Sequence, residues 1–359
     1  MKRRGSVLVF VLALIVLLSV LSVRLMEETV QELRHVSQFH RRDDLRMHAY
    51  SALDLAVGVL SEFQLLEGKL YAPGQGWGDP IGYSALSPLD PTVRWSIKLK
   101  DESAKLSLQK INQKDLVNLF AVMHSRGSSL VDEDDGQPYY DALMDWQDSD
   151  DDERDEGAED DHYEGLDDPY FTPGRPLNSY EEFRMIKGFA FDPYESEYTG
   201  LFYDEKGGET SNMGDFRSSF SFFYDGPVNV NGASDFLRRF LCGDDDGLFE
   251  DFSSGPSNAG GESYYTNAND PNLVRLKGKR GTRIPIGVTA SAFRVEISID
   301  KGKSNFRLHA VLGMDLGNST VRRQPKPGQS IKRPRSQKNA GLGYPLRILS
   351  LRENENLID

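Results

Sequence analysis

Apolar residues run almost unbroken from Val7 to Val23, interrupted only by Ser19 and Ser22. At about 1.5 Å of rise per residue, a helix over this run spans roughly 25 Å, enough to cross a bilayer core. Lys2, Arg3 and Arg4 precede it and Arg24 closes it. The positive-inside bias keeps the basic end in the cytoplasm and sends the rest of the chain across. Beyond Arg24 the pattern becomes a wet, charge-mixed stem. Arg34, Arg41, Arg42 and Arg46 alternate there with Glu27, Glu28, Glu32, Asp43 and Asp44. Ala49, Leu53, Ala56, Val57 and Leu60 then recur at helical spacing, and Ala52, Leu55 and Phe63 widen the stripe. The pattern predicts one long helix from the membrane to about Phe63, its last turns packed on a globular head. Two helices with a break near Asp43–Asp44 are the alternative. Gly68, Pro73, Gly74, Gly76 and Gly78 end the helical signal.

Further along, the period changes to two. Thr92–Lys100 alternates, with Val93, Trp95, Ile97 and Leu99 on one face. Thr289–Asp300 and Asn305–Met314 alternate around Lys301-Gly-Lys-Ser, a hairpin signal, and Tyr344–Leu351 is a last candidate strand. Helical signals lie between these strands. One covers Gln113–Arg126 and is stopped by Gly127. Others cover Tyr139–Trp146 and Ser234–Leu241. Ser179 and Glu182 form a capping box for a further helix with Phe183 and Ile186 inward and Gly188 as its stop. Phe191–Asp215 reads as irregular, Ser218–Asp225 as strand-like and Gly243–Asp270 as a long loop. Val321–Ala340 is basic and Pro-rich, which predicts a flexible segment.

Length and charge narrow the class. The 359 residues suffice for two or three folded units. Lys plus Arg is 42 against 56 Asp plus Glu, a net charge of −14. An acidic exported chain argues against nucleic acid, whose phosphates need clustered cations. Cys242 is the only cysteine, so no intrachain disulfide or thiolate metal cluster is possible, and burial is its expected fate.

Asp145–Asp168 (DWQDSDDDERDEGAEDDHYEGLDD) carries one cationic side chain, Arg154, besides His162. Such a run is usually a solvated face or a disordered segment. Here Trp146, Tyr163, Tyr170 and Phe171 flank it and give it something to pack on. Asp148, Asp150 and Asp152 alternate, and Glu159 stands in the twelfth position from Asp148, beside Asp160 and Asp161. Hard oxygen donors at this spacing suit Ca²⁺, which takes six to eight of them. The run is not an EF-hand, because its sixth position is Glu153 rather than Gly.

The N-terminus admits three readings. A cleaved secretory signal would end in small residues, but this run ends in Ser-Val-Arg24-Leu-Met-Glu-Glu. A plain membrane anchor is the second. The third follows the order of a short basic leader, Gly5, then the apolar helix at once. That order resembles the class III signal of type IV pilins and pseudopilins, cut by a prepilin peptidase after the Gly, here between Gly5 and Ser6. Most such proteins carry Glu at the fifth mature position, where this chain has Phe10.

Five landmarks then fall in one order: DESAKLSLQKI (Asp101–Ile111), LMDWQDSDDDERDEGAEDDHYEG (Leu143–Gly165), RPLNSYEEFRMIKGF (Arg175–Phe189), GPVNVN (Gly226–Asn231) and SAFRVEISI (Ser291–Ile299). Together they resemble the K-type minor pseudopilin of type II secretion systems, a family that also lacks the membrane glutamate. Leu108 and Lys110 depart from it, standing where the family tends to have Asn. The resemblance implies an α+β fold: a pilin-like long N-terminal helix packed on an antiparallel sheet, with a mainly α-helical inserted domain. It divides the chain into a leader (1–5), a transmembrane helix (6–24), and the rest of the helix with the first part of the pilin-like domain (25–100). A helical insert with the acidic run follows (101–242), then the C-terminal sheet with its long loop and tail (243–359).

The implied role is a structural subunit of the bacterial inner membrane. It would be single-pass, with a cytoplasmic N-terminus and a periplasmic head. It would cap the pseudopilus tip and help start assembly with the I- and J-type minor pseudopilins, with the prepilin peptidase and the inner-membrane secretion platform as further partners. N-methylation of Ser6 goes with that processing, and the family's calcium sites lie in the helical insert. An enzyme is disfavoured. No Ser-His-Asp arrangement, HExxH or phosphate loop is present, and His35, His40, His48, His124, His162 and His309 are scattered. A membrane-anchored calcium-binding surface protein unrelated to secretion is the other class.

Overall fold

The computed structural model describes residues 4–125, 132–191, 200–243, 245–257, 263–279, 284–314 and 346–354, with 4–9, 30, 32–42, 133 and 277–279 described as backbone. Met1–Arg3, Gly127 and the basic Val321–Ala340 stretch lie outside these residues.

Helix α1 (Arg4–Glu67) passes Asp43–Asp44 without a break. Its Phe10–Thr29 stretch has a mean hydropathy of 2.3, is wholly exposed and is long enough to cross a membrane. From Leu45 onward the same helix becomes a core element. Leu45, Ala49, Ala52, Leu53, Ala56, Val59, Leu60 and Phe63 are buried, at steps of three and four that put them on one face. The alanines in this stripe leave room for the backbone to lie close on a sheet. The short α2 (Pro80–Ser84) follows, with the Asp79 carboxylate accepting from the Gly82 amide at 3.0 Å. Trp77 is buried edge-on against Phe293, with ring centroids 5.3 Å apart.

In chain order β1 (Val93–Asp101), β2 (Leu106–Ser107) and α3 (Gln113–His124) come next. Asn112 caps α3 by accepting from the Asp115 amide at 3.0 Å, and Leu116, Leu119, Phe120 and Met123 are buried. Helix α4 (Gln137–Asp145) has Pro138 in its first turn, where the missing amide costs nothing, and α5 (Asp160–Glu164) follows the acidic loop. The Ser179 segment forms a tight 3₁₀ turn, Tyr180–Arg184, rather than an α-helix. Ser179 Oγ accepts from the Glu181 amide at 3.2 Å, and Glu182 Oε1 accepts from the Asn178 amide at 2.9 Å. Phe183 and Ile186 are buried as their spacing predicts, and Gly188 turns the chain at φ +81°.

The stretch expected to be irregular ends in α6 (Ser211–Ser219), and only Phe220–Ser221 (β3) of the expected aromatic strand is paired. Then come β4 (Val228–Asn229) and α7 (Asp235–Cys242), with Cys242 buried as expected. Helix α8 (Asp246–Ser253) lies inside the segment read as a long loop. Asp245 caps it by accepting from the Leu248 amide at 2.9 Å, and Leu248 and Phe252 supply the buried face. Helix α9 (Pro271–Lys279), β5 (Ile286–Gly287), β6 (Ala292–Lys301), β7 (Ser304–Met314) and β8 (Leu346–Glu353) complete the order.

Strands β1, β6, β7 and β8 form one antiparallel sheet in the order β1-β6-β7-β8. Strand alternation puts Phe293, Val295, Ile297 and Ile299 of β6 and Phe306, Leu308, Ala310 and Leu312 of β7 into one core with α1. A second core gathers apolar side chains from Leu106 to Val288 around Phe120, Phe183, Phe189, Phe202 and Phe216. The helical unit therefore extends past residue 242. Leu248, Phe252, Tyr265, Leu273 and Leu276 bury themselves in it rather than in the sheet domain. Asp101 of β1 pairs with Phe293 of β6, so the insert leaves and rejoins the sheet at the same end of neighbouring strands.

That joint is polar and buried. Asp101 accepts from the Ser103 amide at 2.9 Å and from Asn229 Nδ2. Asn231 Nδ2 donates to the carbonyls of Tyr265 and Val288, each at 2.9 Å. The Gly226–Asn231 motif thus joins the two cores.

Candidate metal centre

The acidic run folds back on the end of α4. Asp145, its last residue, is completely buried. One oxygen, Oδ2, accepts from the amides of Arg154 at 3.2 Å and Ala158 at 2.9 Å, while Oδ1 pairs with Arg154 Nη1. The same Nη1 reaches Asp148 Oδ2 at 2.7 Å. Gly157 is required beside them, because a Cβ there would fall on the Asp145 carboxylate.

Next to this pair, carboxylates converge. Asp148, Asp150 and Glu159 each place one oxygen within 4.8 Å of the others. Asp148 Oδ1 and both oxygens of Glu159 are buried with no hydrogen-bond partner among the described residues. Glu159 is only 5% exposed. Its burial, with the charges of Asp145, Asp148, Asp150 and Asp151 adding to it, pushes its carboxyl up to about 7.

The other candidates point elsewhere. Asp152 is exposed, and its amide donates to Asp150 Oδ1 at 3.2 Å, turning the chain away. Asp160 Oδ1 is satisfied by the amide and hydroxyl of Thr172 at 2.7 and 2.8 Å, pinning α5 to the segment after it. Asp161 faces solvent. Gly5 and Ser6 lie in the helical backbone of α1, and the Ser6 side chain is outside the described residues. Asp145 and Arg154 are neighbours of the converging carboxylates that spacing did not reveal. The one available signal was that Arg154 is the lone fixed cation in the run.

Orphaned carboxylate oxygens in a buried position are costly unless a cation or a proton compensates them. Three converging carboxylates with no thiolate or imidazole among them form a hard donor set, suited to Ca²⁺ rather than to zinc or copper. The residues present therefore fit a hard divalent cation such as calcium, which Asp148, Asp150 and Glu159 would hold.

A long helix laid on an antiparallel sheet, with a helical unit inserted between neighbouring strands, places the chain in the pilin-like α+β class. Within that class, residues 107–196 match the family described as "Type II secretion system (T2SS), protein K". The fold is similar to that of a chain in the crystal structure of the GspK-GspI-GspJ complex from the enterotoxigenic Escherichia coli type 2 secretion system. The TM-score is 0.56 at 15% identity, over 90% of this chain and 100% of that one. A comparison with curated proteins finds no match. The matched segment contains the acidic run and the Ser179 turn, so the resemblance to protein K read from those motifs stands.

Proposed function

We propose that the chain is a K-type minor pseudopilin of a type II protein secretion system, capping the pseudopilus tip and helping start its assembly with I- and J-type subunits. The observation that carries this reading is the unbroken α1, which joins an exposed apolar stretch of membrane length directly to a pilin-like head. A structural subunit of this kind needs no catalytic centre; its work is packing. Phe10 supports the tip position. A carboxylate in the membrane is costly unless paired, and a subunit with no neighbour above it has nothing to pair with.

In this reading the prepilin peptidase cuts between Gly5 and Ser6, and Ser6 is N-methylated. The secretion platform of the inner membrane receives the subunit, with the head in the periplasm. The protein K segment and the resemblance to the GspK-GspI-GspJ assembly support I- and J-type partners. Calcium held by Asp148, Asp150 and Glu159 would staple the acidic loop of the insert.

In-cell crosslinking from the exposed face of α1 tests the reading. Adducts with two other pilin-like subunits are expected, together with an intact mass lacking Met1–Gly5. A chain that crosslinks to no pilin-like subunit and keeps its first five residues would instead be a calcium-binding surface protein on a plain anchor.

A further inference from the structure

Asp145 and Arg154 supply none of the three converging oxygens, yet Arg154 holds the Asp148 carboxylate that supplies one. Asp145 is fixed: it is completely buried, and both its oxygens accept hydrogen bonds, from two backbone amides and from Arg154. The guanidinium so anchored reaches Asp148 Oδ2 at 2.7 Å. It leaves Asp148 Oδ1 buried and without a partner among the described residues, in the same position as the two Glu159 oxygens. We propose that Arg154, braced by Asp145, is a positioning residue for a divalent-cation site, holding the Asp148 carboxylate in the orientation that keeps Oδ1 for the ion. This rests on the calcium reading above and names what tunes that site.

Two effects of Arg154 oppose each other. Its charge repels a dication, so its loss would tighten binding. Its hydrogen bond orders Asp148, so its loss would loosen binding. Asp145 decides between them. The Arg154 and Asp145 charges cancel at close range, so the pair adds little net field at the ion. Removing both leaves that field nearly unchanged while freeing Asp148 to rotate. Ordering is therefore the larger effect. Groups that orient a metal ligand from behind are worth about 10–100-fold in metal affinity.

The test uses the full-length protein in detergent micelles, titrated calorimetrically with calcium chloride. Two variants are compared with wild type: Arg154→Lys, which keeps the charge on a side chain too short to reach the position of Nη1, and Asp145→Asn with Arg154→Gln, which removes both charges together and strands neither. Melting without metal checks the fold of each. Terbium decay in H₂O and D₂O counts the waters on the bound ion, a readout that a merely structural role would not move. Both variants are expected to bind calcium about 10–100-fold more weakly and to hold terbium with at least one more water. Affinity within about twofold of wild type, tighter binding in either variant, or an unchanged water count overturns the positioning role. A wild-type chain that takes up no calcium overturns the calcium reading itself, and this inference with it.

Discussion

Arg294 of β6 grips Glu102, which follows β1, with one edge of its guanidinium: Nε donates to Oε2 at 2.8 Å and Nη2 to Oε1 at 3.0 Å. Both residues are buried. Ser221 of the insert adds a hydroxyl donor to Glu102 at 2.6 Å, and Lys105 adds a charge at 3.3 Å. Burial opposes ionisation of Glu102, but Lys105 and Arg294 outweigh it and hold the carboxyl below its ordinary range. The pair therefore clamps the chain where the insert departs and returns. Removing one partner strands the other charge in the interior. Glu102→Ala is expected to cost about 3–5 kcal/mol, read as a lower midpoint in urea unfolding.

Asp101, one residue earlier, behaves in the opposite sense. Burial pushes its carboxyl up to about 7, against hydrogen bonds from Ser103 and Asn229 and with the charge of Glu102 adding to the rise. Its folded value lies above its unfolded value, so between about pH 4 and pH 7 the native chain binds more protons than the unfolded one. Asp101 therefore makes stability fall as pH rises through that window. Asp101→Asn has no such proton to lose. Its stability relative to wild type is expected to rise from pH 5 to pH 8, measured by thermal melting at each pH.

Glu159→Gln separates charge from shape at the candidate metal centre. Without metal, the neutral amide relieves repulsion from Asp145, Asp148 and Asp150, so the variant is expected to melt above wild type. With calcium the order reverses. A ligand that binds only the folded state stabilises by about 2.7 kcal/mol at a hundredfold excess over Kd, and the variant is expected to lose that gain. Scanning calorimetry with millimolar calcium or with chelator reads both effects.

Gly157→Ala places a methyl group on the Asp145 carboxylate. Overpacking of this kind costs about 1–3 kcal/mol. Because Asp145 braces Arg154, the variant is also expected to show a smaller calcium-induced rise in melting temperature. The same calorimetry checks it: an unchanged calcium response would mean the loop relaxes around the methyl group.

Much of this fold was legible in the sequence because its periods are clean. The alternation of Thr92–Lys100 and Thr289–Met314 became β1, β6 and β7, and the stripe from Ala49 to Phe63 became the sheet-facing side of α1. Helix α8 was hidden. Its buried face is only Leu248 and Phe252, set in a run of Asp, Gly and Ser that composition assigns to a loop, and Asp245 starts it through a cap visible only once the chain is folded. The acidic run was legible as chemistry but not as geometry. Alternate spacing groups Asp148, Asp150 and Asp152 only if the backbone is extended there. The Asp152 amide turns back on Asp150 instead, and Glu159 closes on Asp148 from the far side of the loop. Arg154 carries no spacing signal at all. Its place beside Asp148 comes from a buried acceptor nine residues away.

The insert hangs from the sheet at one point, where Asp101 stands opposite Phe293. Neighbouring antiparallel strands held at the same end open like a zipper when pulled: their hydrogen bonds load one after another instead of sharing the load. Any tug on the insert would therefore be felt first at this fork. The fork is also where Glu102 meets Arg294 and Asp101 meets Asn229, so buried polar contacts sit where tearing would begin. They are the stitch at the end of the seam.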